Sequence, residues 1–400
     1  MSFASSNSLD AIIAGAGPAG SSTAIELALK GRRVLLIEEK KFPRAKLCGE
    51  FISPECLAHF KRLGVMEQMN AAEGTAVNET VFYSRNGSNV SVPSDWFKSG
   101  AAALGLSRAE MDYQLLLRAR DAGVEVLEEA HVSRLLREAE TVCGVQVKSG
   151  ETTQDYFAPL TVDATGRTRA LARKLDPPRL NHRKNINPLV AFKAHFENAR
   201  QSPSACEIYF YKRGYGGLSE IEGSLSNLCF IVAAKDVRRY ASDPEVILRE
   251  VVMKNPRAAY TLADAHTVTP WLSVSLETFG RRTIVPAKGL LAVGDAAAFI
   301  DPFTGSGMLM ALESGQLAAD VINRHLASPN FESLANNYRN EYSRRFASRL
   351  RVAGLLRRAA FVPYFDEAAI RLFGASDQLR RKLARSTRAA RAPKRRAVRF

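Results

Sequence analysis

The first 38 residues constrain the fold more than any other stretch. An apolar run over residues 11–14, after Leu9-Asp10, leads into Gly15-Ala16-Gly17-Pro18-Ala19-Gly20, and a helical stretch rich in small residues follows to Leu29. After Gly31, a second apolar run from Val34 to Ile37 ends in Glu38. Short continuous runs of this kind read as strands covered on both faces, which belong to parallel sheets. A G-x-G-x-x-G turn between strand and helix serves three ends: a tight turn, close approach of a pyrophosphate, and close helix–strand packing. The reading is a βαβ unit that holds a dinucleotide, with Gly15, Gly17, Pro18, Ala19 and Gly20 as its cradle. Glu38, at the tip of the second strand with Glu39 beside it, is placed to accept ribose hydroxyls.

A matching half lies far downstream. Leu290 to Val293 reads as another buried strand, Gly294-Asp295 stands at its end, and Pro302 to Gly307 forms a turn of Pro, Thr, Ser and Gly. The following helix presents Ala311, Gly315 and Ala318 on one face. Sheets of this class hold ligands at the carboxyl ends of their strands. A turn opening a helix there directs free N–H groups and a positive dipole end at an anion. Asp295 offers an acceptor for hydroxyls. A further strand-end motif is Leu160–Val162 followed by Asp163-Ala164-Thr165-Gly166.

Between these motifs the pattern changes. Residues 76–103 alternate polar and apolar around Asn86-Gly87, a hairpin signal. Helices are expected from Ser53-Pro54 and from Ala109 to Ala122. Residues 186–280 alternate in the manner of an antiparallel sheet with one exposed face. The expected fold class is α/β: a Rossmann-like domain of residues 1–75, 104–185 and 281–330, interleaved with an antiparallel β-sheet domain of residues 76–103 and 186–280. A helical region over 331–375 follows, with Tyr338, Tyr342, Phe346, Leu350 and Ala353 at core-facing spacing, and then a basic tail over 376–400.

Charge narrows the partners. The chain carries 56 Lys/Arg against 41 Asp/Glu, and ten of the cations fall in residues 378–400, where there is no acid. The expectation is a solvated tail first and peripheral contact with the inner face of a membrane second, drawing also on Leu355, Leu356, Phe361, Val362, Tyr364 and Phe365. Nucleic acid is disfavoured, because no aromatic-interleaved or zinc-finger pattern accompanies the charge. No run reaches the roughly 18 apolar residues that span a bilayer, and the first residues carry no signal-peptide pattern. The five cysteines (48, 56, 143, 206 and 229) show neither C-x-x-C nor metal-ligand spacing. A reducing cytoplasm and no metal site are expected.

The ordered set of G-x-G-x-x-G, strand-end Glu38, Asp163-Ala164-Thr165-Gly166, Gly294-Asp295 and Pro302-x-Thr-Gly-x-Gly307 resembles the FAD-binding fold of p-hydroxybenzoate hydroxylase. That group includes class A flavin monooxygenases, flavin-dependent halogenases and geranylgeranyl reductases. Lys46-Leu47-Cys48-Gly49-Glu50 and Ala298, where many aromatic hydroxylases carry His, look most like the geranylgeranyl-reductase-related branch. The resemblance implies that FAD is held by Gly15, Gly17, Pro18, Ala19 and Gly20 at the pyrophosphate and by Glu38 at the adenosine ribose. Arg108 would contact the FAD and Asp295 its ribityl or phosphate part, with the Pro302–Gly307 loop against the isoalloxazine. It extends the cofactor set to Glu39, Arg44, Cys48, Gly49, Gly166, Gly294, Pro302, Gly305, Ser306 and Gly307. Two departures set the chain apart from isoprenoid reductases. Residues 214–220 replace their Tyr-x-Trp-x-Phe-Pro segment, and Thr304-Gly305-Ser306-Gly307 replaces Thr-Gly-Glu-Gly. The halogenase Trp-x-Trp-x-Ile-Pro signature is missing, since the only tryptophans are Trp96 and Trp271. The combination also resembles flavoproteins found near bacterial type III polyketide synthases.

With one dinucleotide motif, NAD(P)H is expected to bind only transiently, as reductant. The resemblance then implies one of two reactions on a lipophilic substrate. The favoured one is hydroxylation of an aromatic or polyketide-type ring through a flavin C4a-hydroperoxide, which needs a dry site. The alternative is reduction of an isoprenoid C=C bond by hydride and a proton. A contrasting view is a basic membrane- or nucleic-acid-associated protein in which flavin is structural. Cys48 and Glu50 are the candidate catalytic residues, and His195, Tyr209, Tyr211 and Tyr215 the candidate substrate-lining ones.

Overall fold

The computed structural model describes residues 8–98, 100–175, 188–276, 279–360, 362 and 365–388. Five strands form a parallel sheet in the order Leu290–Ala292, Leu160–Asp163, Ala11–Ala14, Val34–Ile37, Glu125–Leu127. From Ala11–Ala14 the early strands step outward one way and the later ones the other. Loops leaving Ala11–Ala14 and Leu160–Asp163 therefore part in opposite directions, and a crevice opens between them.

Both faces of the sheet are covered, which is why its strands read as continuous apolar runs. Ala11 and Ile13 pack under the helices Pro18–Ala28, Arg108–Asp121 and Gly307–Ala327, while Ile12 and Ala14 meet a three-stranded meander, residues 130–157. The small-residue face of Gly307–Ala327 lies backbone to backbone on Pro18–Ala28. A Cβ on Gly315 would sit 2.6 Å from the Ala19 carbonyl oxygen. The Ser22 and Thr23 hydroxyls donate to the Leu312 and Gly315 carbonyls at 3.3 and 3.4 Å.

The second sheet is built on Leu189–Glu197. Ser226–Ala233, Gly214–Glu220, Ala205–Tyr211, Glu79–Tyr83 and Asn89–Pro93 follow in spatial order on one side, and His266–Thr267 and Leu272–Leu276 pair on the other. All these pairs are antiparallel except one. Ala205–Tyr211 and Glu79–Tyr83 run parallel, joining segments distant in the chain. The expected hairpin forms over residues 79–93, with Gly87 at φ +87°. The face bearing Phe192, Ala194, Phe196, Tyr209 and Leu228 packs beneath Pro244–Glu250 and Pro256–Thr261.

Two expectations need correction. The helix expected at Ser53-Pro54 begins at Cys56, because the Ser53 carbonyl first takes the Cys56 N–H in a turn at 2.9 Å. The basic tail is not wholly solvated. Asp377–Ser386 is a helix capped by the Ser376 hydroxyl, and Arg388 beyond it is largely buried, with 8% side-chain exposure. Residues 389–400 lie outside the described part.

The long helix Phe331–Ala360 buries Tyr338, Tyr342, Phe346 and Ala353, and the Tyr338 hydroxyl donates to the Ala292 carbonyl at 2.7 Å. This bond ties the helix to the outer strand of the parallel sheet. Tyr338→Phe leaves that carbonyl without its donor, at an expected cost of about 1–2 kcal/mol. The loss would appear as a lower midpoint in thermal melts, and an unchanged midpoint would mean that the bond contributes nothing.

Candidate active site

The glycines of the first turn do different jobs. Gly15 adopts φ +102°, and a Cβ there would come within 2.4 Å of the Ala164 carbonyl oxygen. A Cβ on Gly20 would be 1.8 Å from the Gly15 carbonyl oxygen. Both are demanded by the protein's own packing. Gly17 has an ordinary φ of −73°, and its Cβ would meet only Arg108 Nη2, at 3.8 Å. It keeps space open for something else. The helix behind it has no side-chain cap, and among the described residues no acceptor takes the N–H groups of Ala19 and Gly20.

Glu38 sits at the end of its strand, buried, with its carboxylate accepting from Ala16 N at 2.9 Å, Lys40 N at 3.1 Å and Arg44 at 3.3 Å. Glu39 points to solvent. Arg44 also donates to Asp112 at 2.9 Å, and Arg108 forks onto the same carboxylate at 2.8 and 2.7 Å. Asp112, fully buried, thus aligns both arginines. Sequence reasoning missed it, although its spacing four residues after Arg108 on one helix face was a legible signal.

The downstream half closes against the first. Gly294, at φ +57°, is so near Ala19 that a Cβ would lie 2.8 Å from the Ala19 Cβ. Among the described residues, nothing donates to the Asp295 carboxylate. Burial pushes its pKa up to about 6, against the pull of Arg167 and Arg108. The Ser306 hydroxyl pairs with Thr304 at 2.7 Å instead of capping Gly307–Ala327. No acceptor among the described residues takes the N–H groups of Gly307, Met308 and Leu309. Pro302 is exposed, and Gly305, at φ +57°, lies against the Phe51 ring. On the remaining strand end, Asp163 holds its own turn by accepting from Thr165 N and Ala172 N, and Gly166 faces open space at φ +73°.

A space kept by Gly17, two uncapped helix starts and an unpartnered acidic side chain therefore border one crevice. FAD fits that set. Its pyrophosphate suits the first helix start, its hydroxyls suit Glu38 and Asp295, and its ring, anionic when reduced, suits the second helix start.

Facing this crevice, the second sheet presents a buried charge cluster. Glu50, fully buried, accepts from Lys193 Nζ at 2.5 Å, His195 Nε2 at 2.7 Å and Arg108 N at 2.8 Å. Burial raises its pKa, but the His195 hydrogen bond and the Lys193 charge outweigh that and hold it below the ordinary carboxylate value. Its backbone is left-handed, at φ +51°, a conformation that costs a non-glycine residue about 1 kcal/mol or more. The partly buried Cys48 is two residues away, and its carbonyl takes the Asn227 amide at 3.1 Å. Next to Lys193 across the strands is Cys229, whose thiol burial pushes up to about 12. Lys193 went unpredicted, yet it lies two residues from His195 and so on the same face of the strand.

The four residues expected to line a substrate divide by face. His195 and Tyr215 share the face away from the helix-covered core: the His195 ring meets Glu50, and the Tyr215 hydroxyl donates to Asp301 and accepts from Phe303 N at 3.0 Å. Tyr209 and Tyr211 are on the opposite face, buried in the helix-covered core, with Tyr209 bonded to Glu207 at 2.6 Å. They are packing residues there, because alternation sends them away from Ile208 and Phe210. On the loop-facing side, Phe303 packs on Phe82, Phe210 and Tyr215 with ring centroids 5.4–5.7 Å apart, beside Leu189, Ala191, Ile231 and Leu276.

Two expectations follow. Gly17→Ala should fold with an unchanged melting temperature yet bind FAD at least tenfold more weakly, whereas Gly20→Ala should be strongly destabilised by its carbonyl clash. Equal melting losses in the two would refute the distinction. Asp295 has a folded pKa above its ordinary 3.8, so its contribution is fully present below about pH 4 and lost as pH rises through about 6. Asp295→Asn should therefore stabilise FAD-free protein at pH 8 by up to about 3 kcal/mol, add nothing at pH 4, and weaken FAD binding about tenfold. A melting gain independent of pH would contradict this account.

Comparison with known proteins agrees with the geometry. A family model described as an FAD binding domain matches residues 8–351. The chain is 26% identical over 383 residues to a menaquinone reductase of Mycolicibacterium smegmatis, covering 90% of this chain and 88% of that one. It is 27% identical to digeranylgeranylglycerophospholipid reductase 2 of Methanopyrus kandleri, covering 78% and 76%. A flavin-dependent brominase structure superposes with a TM-score of 0.80 over 95% of both chains, and at 22% identity that likeness is one of fold. With its crevice, its glycine cradle and this match, the chain belongs to the FAD-binding-domain family.

Proposed function

We propose that this FAD-dependent oxidoreductase is an NAD(P)H-dependent monooxygenase that hydroxylates a lipophilic aromatic or polyketide-type substrate. The observation that carries the reading is the buried Glu50 carboxylate hydrogen-bonded to the His195 imidazole, on the sheet face that also carries the apolar cluster of Leu189, Ala191, Phe210 and Ile231. Bound FAD supplies two-electron chemistry with oxygen: one oxygen atom enters the ring, and the other leaves as water with the electrons of NAD(P)H. The chain's residues do the rest. Glu50 holds His195 by Nε2–H, which leaves Nδ1 as the acceptor for a phenolic proton. Removing that proton makes the ring electron-rich, as attack by an electrophilic oxygen requires. Lys193 keeps Glu50 charged. The wall of Phe82, Phe210, Ile231 and Phe303 excludes water and suits an apolar body.

A second reading, reduction of a C=C bond, is favoured by the position of Cys48 beside the same pair, where a thiol can donate the proton that accompanies hydride. The names of the two curated relatives also point to reduction of lipophilic molecules. The brominase likeness carries no similar weight, since the tryptophan signature of halogenases is missing.

NAD(P)H oxidation with phenolic and isoprenoid lipids, in air and without oxygen, separates the readings. Hydroxylation requires oxygen-dependent oxidation and a product carrying one atom from labelled oxygen. In that case His195→Asn lowers hydroxylation about 100-fold or more while flavin reduction by NAD(P)H persists, and Cys48→Ala is tolerated. Anaerobic saturation of an alkene, lost in Cys48→Ala, would overturn the monooxygenase and promote the reductase.

A further inference from the structure

The C-terminal helices carry an unusual concentration of exposed apolar side chains. Of the eight exposed large hydrophobic residues among those described, four fall between 355 and 379: Leu355 at 64%, Val362 at 51%, Leu372 at 58% and Leu379 at 39%. Exposed leucines scattered along a chain need no explanation, but four exposed apolar side chains within one short stretch of chain do. On Phe331–Ala360 the exposed positions Arg351, Gly354, Leu355 and Arg358 recur at helical spacing, so Leu355 stands between two guanidinium groups. On Phe365–Gly374, Arg371 and Leu372 are both exposed.

The charge around these residues is mostly positive. From Tyr342 to Arg388 the chain has twelve Lys/Arg and three acids. Of the acids, Asp366 is buried and Asp377 is paired with Arg380. Arg381 and Lys382 are exposed on the final helix. None of the described helices is long and apolar enough to cross a membrane, so contact through this layer is contact with a surface. The layer also borders the candidate active site. Arg388 donates to the Gly305 carbonyl at 3.1 Å, and Arg357 stacks 3.9 Å over Phe279 and lies 3.5 Å from Asp301.

We propose that the C-terminal layer, the described residues of 351–388, docks this protein on an anionic lipid bilayer through Leu355, Val362, Leu372 and Leu379 and the exposed cations beside them. Apolar side chains enter the boundary between headgroups and acyl chains, and the cations meet the lipid charge. Because the layer touches the Pro302–Gly307 loop, docking brings the site to where a lipophilic molecule dissolves. That benefit rests on the function proposed above; the docking does not.

The test is flotation of the full-length, FAD-loaded protein with phosphatidylcholine vesicles, with and without about 30% phosphatidylglycerol, at low and high salt. Binding should need the anionic lipid and weaken with salt. It should fall at least tenfold in Leu355→Glu/Leu372→Glu, and several-fold in Arg381→Gln/Lys382→Gln. Both pairs are exposed, so folding and NAD(P)H-driven flavin reduction should match the parent. No flotation with either vesicle overturns the proposal. So does duplex DNA binding in the absence of flotation, or a dimer broken by Leu355→Glu/Leu372→Glu while vesicles go unbound. Flotation without substrate turnover would sink the monooxygenase reading and leave the docking standing.

Discussion

At the carboxyl ends of the parallel sheet, chain segments approach one another more closely than side chains allow. Gly15 meets the Ala164 backbone, Gly20 meets Gly15, Gly294 meets Ala19, and Gly315 meets the Ala19 carbonyl. Together they draw residues 15–23, 164–166 and 294–315 into one rim. A single methyl at Gly15 or Gly20 would force backbone apart, and rigid, close-packed interiors do not absorb such displacement cheaply. Of the three glycines in the first turn only Gly17 has its Cβ direction open, so the same motif both closes the protein on itself and leaves space at the helix start.

The second constraint is electrostatic. Glu50 joins three parts of the molecule: its own loop, the Arg108–Asp121 helix start and the Leu189–Glu197 strand. Two fully buried charges such as Lys193 and Glu50 are costly to desolvate and hold only while each satisfies the other. Loss of either partner leaves the other without compensation. This arrangement makes the loop carrying Cys48 and Gly49 depend on the distant sheet, although the two segments are nearly 150 residues apart in sequence. The left-handed backbone of Glu50 is strain that these three hydrogen bonds offset.

Where local rules and packing agree, the residues were readable in advance. Continuous apolar runs announced strands covered on both faces, and Ala311, Gly315 and Ala318 announced a small-residue face, though not the helix Pro18–Ala28 that it meets. Where one local pattern is compatible with two packings, reading stopped. Tyr209, Tyr211 and Tyr215 look alike as aromatic strand residues, but only Tyr215 reaches the loop-facing side. The face each presents depends on pairing with Gly214–Glu220 and Ser226–Ala233. Arg388 was read as part of a solvated run, since charge in sequence normally means solvent. Glu55 and the Gly305 carbonyl give it partners within the fold.

By itself, then, the sequence determined the cofactor half of this protein: a parallel sheet, a dinucleotide cradle at one strand end and an acid at another. Those features are encoded in short spans whose spacing has few physical solutions. Tertiary structure decided how the facing charge cluster is assembled. Lys193, Glu50, His195 and Asp301 acquire their partners only when remote segments meet, and for Glu50 those partners outweigh burial and keep its carboxyl below the ordinary carboxylate value.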